Sequence, residues 1–270
     1  MLPSLSRIRS LLITRPAGLS DGLAVRLQDI GVEPIVLPLI EIAPPPDSAQ
    51  LEAVLSRLPD CQWAIFVSPS AVRMGLAALS ENPIETLSAF PVSVRLAAVG
   101  EGSAKPLRDA VGRSVLIPTE GADSEALLAC PEMQAVAGLR VMLFRGVGGR
   151  SWLAATLTAR GATVLHAVCY ERRRLTPDVA ALLVRWRTGG MAQSCGMDAI
   201  SVTSTEILDQ LVRVLGEAGR ELLQATPLFV PHPRIAEAAR AYGVRDVRLT
   251  GPGDAGLIVA LLSPEPSPGS

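Results

Sequence analysis

Arg140-Val-Met-Leu-Phe-Arg145-Gly-Val-Gly-Gly-Arg150, a run to Gly161, then Thr163-Val-Leu-His-Ala-Val-Cys-Tyr170-Glu171 is the stretch that decides the fold. An apolar run ends in Arg and a glycine-rich turn, an amphipathic segment follows, Gly161 stops it, and a second apolar run begins. That order reads as strand, turn, helix, strand. The same unit opens the chain: Leu11-Leu-Ile-Thr-Arg15-Pro-Ala-Gly18, a helical run to Gly31, then Pro34-Ile-Val-Leu-Pro-Leu-Ile-Glu41. Arg15 matches Arg145, Gly18 matches Gly148, Leu23 matches Leu153, Leu27 matches Leu157, Gly31 matches Gly161 and Glu41 matches Glu171, all at one offset and without a gap. The chain therefore reads as two copies of one α/β plan, with function expected between them.

Outward from these units, strands and helices alternate. Strands are expected at residues 11–14, 34–37, 63–67, 95–99, 114–117, 198–203, 227–230 and 247–249. Helices are expected over 20–30 and 50–58, after Ser68, after Ser103, after Ser124, over 177–186, from Ser204 to Leu215, through Ile235 to Tyr242, and to Leu262. Asp123 or Ser124 is expected to cap one helix, and Gly251-Pro-Gly-Asp254 to cap the last. Ser68 echoes Ser204, Gly112 echoes Gly243, and Gly121–Ser124 echoes Gly251–Asp254. The prolines Pro38 and Pro44-Pro-Pro46 read as a semi-rigid connector. Glu171-Arg-Arg-Arg174 reads as a second boundary and a solvated charge run, 189–196 as a loop, and the Pro/Ser-rich tail from Ser263 as disordered. Such alternation implies parallel sheets with helices on both faces, and ligands beyond the carboxyl ends of the strands.

The 270 residues carry a formal net charge of −1, so no general field draws nucleic acid or membrane. Lys105 is the only lysine, which leaves planar, bidentate arginines as the cations. The first ten residues show no signal-peptide pattern, and no apolar run approaches the roughly 18 residues of a membrane span. Cys61, Cys130, Cys169 and Cys195 are scattered and fit a reducing cytosol. His166 and His232 are the only histidines, so a protein-held metal site is not expected.

The turn after Arg145 fails as a dinucleotide loop, because Ser151 stands where the third Gly belongs, and no Gly-x-x-x-x-Gly-Lys-Ser/Thr exists. No nucleophile elbow surrounds Ser68 or Ser204. What remains is a set of strand-end turns whose N–H groups can hold carboxylates or phosphates. Taken singly, each is most simply a tight turn or cap. His166 is most simply a strand residue and His232 a turn residue; Tyr170 reads either as a packed hinge aromatic or as a phenol that donates a hydrogen bond or a proton.

These motifs, in order, resemble the uroporphyrinogen-III synthase family: Leu12-Ile-Thr14-Arg15-Pro16, Pro38-x-x-Glu41, Val67-Ser68-x-Ser70-Ala-Val72, Ala98-Val99-Gly100-x-x-Ser103-Ala104, Ser124-Glu125-x-Leu127-Leu128, Arg145-Gly146-x-x-Gly149-Arg150, Tyr170, Thr203-Ser204 and Arg234-Ile-Ala236. The resemblance spans Leu11 to Leu262. It implies a cofactor-free, monomeric, cytoplasmic lyase of haem biosynthesis that closes hydroxymethylbilane to uroporphyrinogen III, inverting ring D and losing water. Its partners would be that linear tetrapyrrole and, beyond it, the preceding and following pathway enzymes, with no nucleic acid or membrane. It also implies two similar flavodoxin-like lobes: a discontinuous first lobe (1–38 with 172–270), a second (39–171), a two-segment hinge and an active-site cleft between them. Tyr170 would assist departure of the hydroxyl. Thr14, Arg15, Ser68, Ser70, Gly100, Ser103, Arg145, Gly146, Arg150, Thr203, Ser204 and Arg234 would bind substrate.

The sequence departs from the family pattern at three places. Asn is common where Ser70 stands and Thr where Ser103 stands. The turn Pro231-His-Pro-Arg234 replaces a Gly and a Thr-Ala pair, and its prolines remove N–H donors for which Arg234 would substitute. Two other readings stand beside the enzyme: a non-catalytic two-lobed binding or regulatory protein for an anionic small molecule, and a two-lobed nucleotide-sugar transferase, which lacks a phosphate loop. Product formation separates the first pair.

Overall fold

The computed structural model describes residues 8–79, 90–149, 151–188 and 196–263. Arg150, most of the 189–196 loop and the tail beyond Ser263 lie outside them. The chain divides into two compact units, Met1–Glu41 with Arg173–Ser270, and Ile42–Arg172.

The strands of the first unit are β1 (Ser10–Ile13), β2 (Glu33–Val36), β9 (Ala199–Ser201), β10 (Leu228–Val230) and β11 (Val247–Leu249). They form a five-stranded sheet in the order β11-β10-β9-β1-β2. Every pairing among them is parallel. The side chains alternate as a strand demands. Leu11, Ile13 and Phe229 pack with Leu23 and Leu27 of α1 (Asp21–Asp29) and Leu257 and Leu261 of α11 (Gly253–Leu262). Leu12, Ile200 and Val230 pack on the other face with α8 (Ala180–Thr188), α9 (Thr205–Ala225) and α10 (Pro233–Ala241). Both faces are covered, which is why the central strands β1, β9 and β10 are buried along their whole length, while the edge strands β2 and β11 carry Glu33 and Arg248.

The second unit is built the same way. Its strands are β3 (Ile40–Ala43), β4 (Trp63–Phe66), β5 (Arg95–Ala98), β6 (Val115–Leu116), β7 (Arg140–Gly146) and β8 (Thr163–Arg174). The sheet runs β3-β8-β7-β4-β5-β6. Ala64, Phe66, Met142 and Phe144 face α2 (Ser48–Leu55), α3 (Pro69–Leu79) and α4 (Glu101–Val111). Trp63, Ile65, Val141 and Leu143 face α5 (Ser124–Ala129), α6 (Pro131–Gln134) and α7 (Trp152–Ala159). The order β8-β7-β4-β5-β6 repeats β2-β1-β9-β10-β11 with the chain entering at a different strand.

The sequence repeat is thus a repeat of structure. Ser10 pairs with Glu33 and Arg140 with Thr163, the same register in both units. Leu23, Leu27, Leu153 and Leu157 are all buried. Gly31 and Gly161 end their helices at φ 78° and 87°, in the left-handed region that a side chain strains.

Two expectations need correction. The segment from Pro38 to Pro46 is not only a connector, because β3 forms within it, between the prolines that flank it. The helix after Ser204 does not end at Leu215; Gly216 breaks it (φ 54°, ψ −159°) and it resumes to Ala225. The triple-arginine run is exposed, as a solvated charge run should be, and it continues β8 to Arg174.

Gly256 shows how closely the last helix is held. A Cβ there would stand 2.2 Å from the carbonyl carbon of Gly251 and 2.3 Å from its oxygen. The obstacle is backbone, which cannot swing aside. Gly256→Ala is expected to cost about 1–3 kcal/mol, the range for over-packing, read as a lowered urea midpoint. An unchanged midpoint would mean that α11 and its turn separate freely.

Candidate functional site

In the second unit, the carboxyl ends of β4, β5 and β7 surround a cleft of about 410 Å³ lined by Ser68, Val99, Asp123, Ser124, Arg145, Gly146, Gly149, Tyr170 and Arg172, among others. Each wall follows from local rules. Ser68 follows β4 and caps α3, its Oγ accepting from the Ala71 N–H at 3.0 Å. Asp123 caps α5 in the same way, accepting from Ala126 N–H at 2.8 Å. Gly100 sits where a Cβ would meet the Ala122 Cβ at 2.8 Å, so β5 and the α5 entry can close on each other only with glycine there. Ser70 is half-buried in the first turn of α3, and Ser103 is buried inside α4.

Tyr170 is 4% exposed, and its phenol lies 3.1 Å from Ser68 Oγ. A bulge sets its direction. Arg145 pairs with Val168, but Gly146 pairs with Tyr170, so Cys169 is an extra residue in β8. Arg145 folds over its own turn, donating from Nε to Gly146 O at 3.3 Å and from Nη2 to the carbonyls of Gly148 and Gly149. It therefore organises the turn it opens.

The corresponding turns of the first unit are more occupied. Thr14 is fully buried and its hydroxyl donates to Ser201 O at 2.8 Å. Arg15 is ion-paired with Asp254 at 2.5 Å. Asp254 therefore serves Arg15, whereas α11 has Pro252 at its cap position and no side-chain cap. The half-buried Thr203 precedes Ser204, whose Oγ caps α9 by accepting from Ile207 N–H at 3.2 Å. His232 Nδ1 accepts from the backbone N–H of Arg234 at 3.1 Å and so caps α10, while the Arg234 side chain is exposed. His232 is thus a cap, in a turn whose prolines remove other donors.

Burial pushes the Cys169 thiol up to about 12, and burial together with the nearby Arg145 cation lowers His166 below the ordinary imidazole range. The native thiol therefore keeps its proton past the pH, about 8.5, at which an unfolded cysteine loses it. Its contribution to stability is complete below that pH and is lost as pH rises toward about 12. Cys169 is expected to resist alkylation at pH 8 until the protein is unfolded, as read by peptide mass spectrometry. Rapid native labelling would mean that this part of β8 opens.

Comparison with known proteins gives the fold a family. The family model described as uroporphyrinogen-III synthase HemD matches residues 21–257. The chain belongs to the uroporphyrinogen-III synthase family. The uroporphyrinogen-III synthase of Salmonella typhimurium is 34% identical over 246 residues, covering 91% of this chain and 96% of that protein. That of Escherichia coli is 32% identical with the same coverage. Two solved structures share the fold: uroporphyrinogen-III synthetase from Helicobacter pylori (TM-score 0.55, 16% identity, 94% of this chain and 99% of that one) and a mutant uroporphyrinogen III synthase from the extremely thermophilic bacterium Thermus thermophilus (0.51, 18%, 93% and 96%). This is a family of lyases in haem biosynthesis.

In this uroporphyrinogen-III synthase family chain, sequence reasoning missed Asp254 as the partner of Arg15. The signal was an acidic residue in the turn that echoes Gly121–Ser124, where Ser124 stands instead. Among the described residues, no group of three or more His, Cys, Asp or Glu is placed to hold a metal ion, and no helix is long and apolar enough to cross a membrane.

Proposed function

We propose that this family member closes hydroxymethylbilane to uroporphyrinogen III as a cytoplasmic monomer without a cofactor, its two units acting as lobes about a cleft. The discontinuous unit would be lobe one and Ile42–Arg172 lobe two, with the chain crossing near Pro38–Pro46 and Tyr170–Arg174. The observation that carries this reading is the strand-end cleft of the second unit, which sets a buried phenol beside arginines and a glycine-rich turn.

The substrate's hydroxymethyl group sits on an electron-rich pyrrole and leaves readily. The protein has mainly to fold the tetrapyrrole so that ring D attacks through its substituted carbon, which is catalysis by positioning. Its eight carboxylates suit turns that offer N–H groups, hydroxyls and guanidinium. Tyr170 would protonate the departing hydroxyl, giving water. The half-buried or exposed Arg145, Gly146, Ser70, Thr203, Ser204 and Arg234 are the groups best placed for carboxylates. Thr14 and Ser103, both buried, would act by shaping their turns.

The test is a coupled assay in which hydroxymethylbilane is generated in place and the oxidised uroporphyrin isomers are separated. Isomer III in excess over the spontaneous isomer I supports the reading. Isomer I alone, from folded protein, would leave a two-lobed binding protein.

A further inference from the structure

We infer that Ser68 and Gly146 are positioning residues for Tyr170: Gly146 makes the seat for its ring, and Ser68 holds its phenol and stabilises the negative charge that forms when the proton leaves. The inference rests on the reading of Tyr170 as the proton donor, and it moves Ser68 from the substrate to the donor.

The seat comes first. A Cβ on Gly146 would stand 2.7 Å from both Cε2 and Cζ of Tyr170, and 3.2 Å from Cδ2. The ring therefore lies against the bare backbone of β7, and no other residue at 146 leaves it there. The bulge at Cys169 is the second half of this device. Simple alternation would put Tyr170 on the side of Val168; the extra residue brings it into the packed cluster with Ala167 and Cys169 instead.

The phenol is fixed by Ser68. Ser68 Oγ accepts from the Ala71 N–H at 3.0 Å, which sets the rotamer and uses one lone pair. Either hydroxyl could donate across the 3.1 Å between Ser68 Oγ and the Tyr170 oxygen, and the proposed mechanism takes Ser68 as the donor. In that arrangement the phenol's own hydrogen is directed away from Ser68 and toward the cleft. When the Tyr170 O–H bond breaks and its proton joins the departing hydroxyl, water leaves and a phenolate remains. Ser68 keeps its proton and donates a hydrogen bond that is now charge-assisted. Behind it stands the N-terminus of α3, eleven residues long, whose dipole favours negative charge. The phenolate recovers a proton when the new macrocycle loses one from the attacking pyrrole.

The experiment is a double-mutant cycle on the purified full chain, with kcat and KM measured in the coupled assay. Ser68→Ala is expected to lower kcat roughly tenfold or more at unchanged KM, below the loss typical of an oxyanion donor. Ser68→Thr, which keeps hydroxyl and cap, should restore it. In a Tyr170→Phe background, Ser68→Ala should cost nothing further. A rise in KM, or the same fold-loss in both backgrounds, would place Ser68 on the substrate and overturn its assignment. The seat is read separately, by unfolding: Gly146→Ala should lower the midpoint of the parent and be tolerated in a Tyr170→Ala background. Equal destabilisation in both would overturn the seat. Tyr170→Phe turning over like the parent would remove the proton-donor reading and the Ser68 role that rests on it, and would leave the Gly146 seat standing, because the unfolding cycle does not depend on activity.

Discussion

Phe144→Ala is expected to cost about 3–5 kcal/mol of stability, the range for truncating a buried aromatic. Phe144 has no exposed surface. Its ring stacks on Phe66 with centroids 4.3 Å apart and planes 11° from parallel, and Phe90 tilts against it at 6.4 Å. Such aromatic pairs add about 0.5–1.5 kcal/mol beyond the area they bury. The packing leaves no slack: a Cβ on Gly75 of α3 would stand 2.7 Å from Phe144 Cδ1. A truncated ring leaves a hole whose walls, strands on one side and α3 on the other, cannot collapse inward. Domains rarely hold more than about 5–15 kcal/mol, so this single change should bring the second unit near its unfolding limit. Urea titration followed by circular dichroism measures it. A loss under about 1 kcal/mol would mean that the cluster relaxes, contrary to the packing described.

Tyr170→Phe carries the largest expected effect on turnover. Removal of a general acid typically costs about 10²–10⁴ in rate. The low end, roughly 10², is expected here because the hydroxymethyl group leaves a pyrrole without much help. The fold should be untouched, since the ring keeps its place against Gly146 and only the contact with Ser68 is lost. Measured against the coupled assay, KM should hold while kcat falls, and the product should remain isomer III in excess over the spontaneous background. Full turnover by the Phe variant would leave positioning alone to explain the rate. A folded variant with no activity above the spontaneous reaction would contradict a mechanism dominated by positioning.

Much of the plan was legible because periodicity and glycine mark it. Leu23 and Leu27, and Leu153 and Leu157 at the same offset, face the sheets as their spacing demands, and the helix-ending glycines adopt the backbone that favours them. The misreadings have local causes. β3 was hidden by prolines, because Pro38 and Pro44–Pro46 flank a run short enough to pass for a connector. The second half of α9 was hidden by Gly216, which breaks the helix without ending it. Of the site, Tyr170 could be named from a motif, but its direction could not be read. The bulge at Cys169 exists only in the pairing of two strands, and one residue of register reverses a side chain's face. The Arg15–Asp254 pair likewise joins residues 239 apart, beyond any local pattern.

The interrupted first unit has a consequence for how the chain folds during synthesis. Ser10 on β1 is bonded to Asp198, 188 residues away, while the second unit is complete once Arg172 has been made. Loop closure over such a distance is slow, and an unpaired strand edge is sticky while it waits. The second unit thus has the head start on the ribosome, with β1 and β2 left as an unfinished sheet until β9 emerges. Slow steps in refolding should belong to the first unit, and aggregates caught early should contain β1.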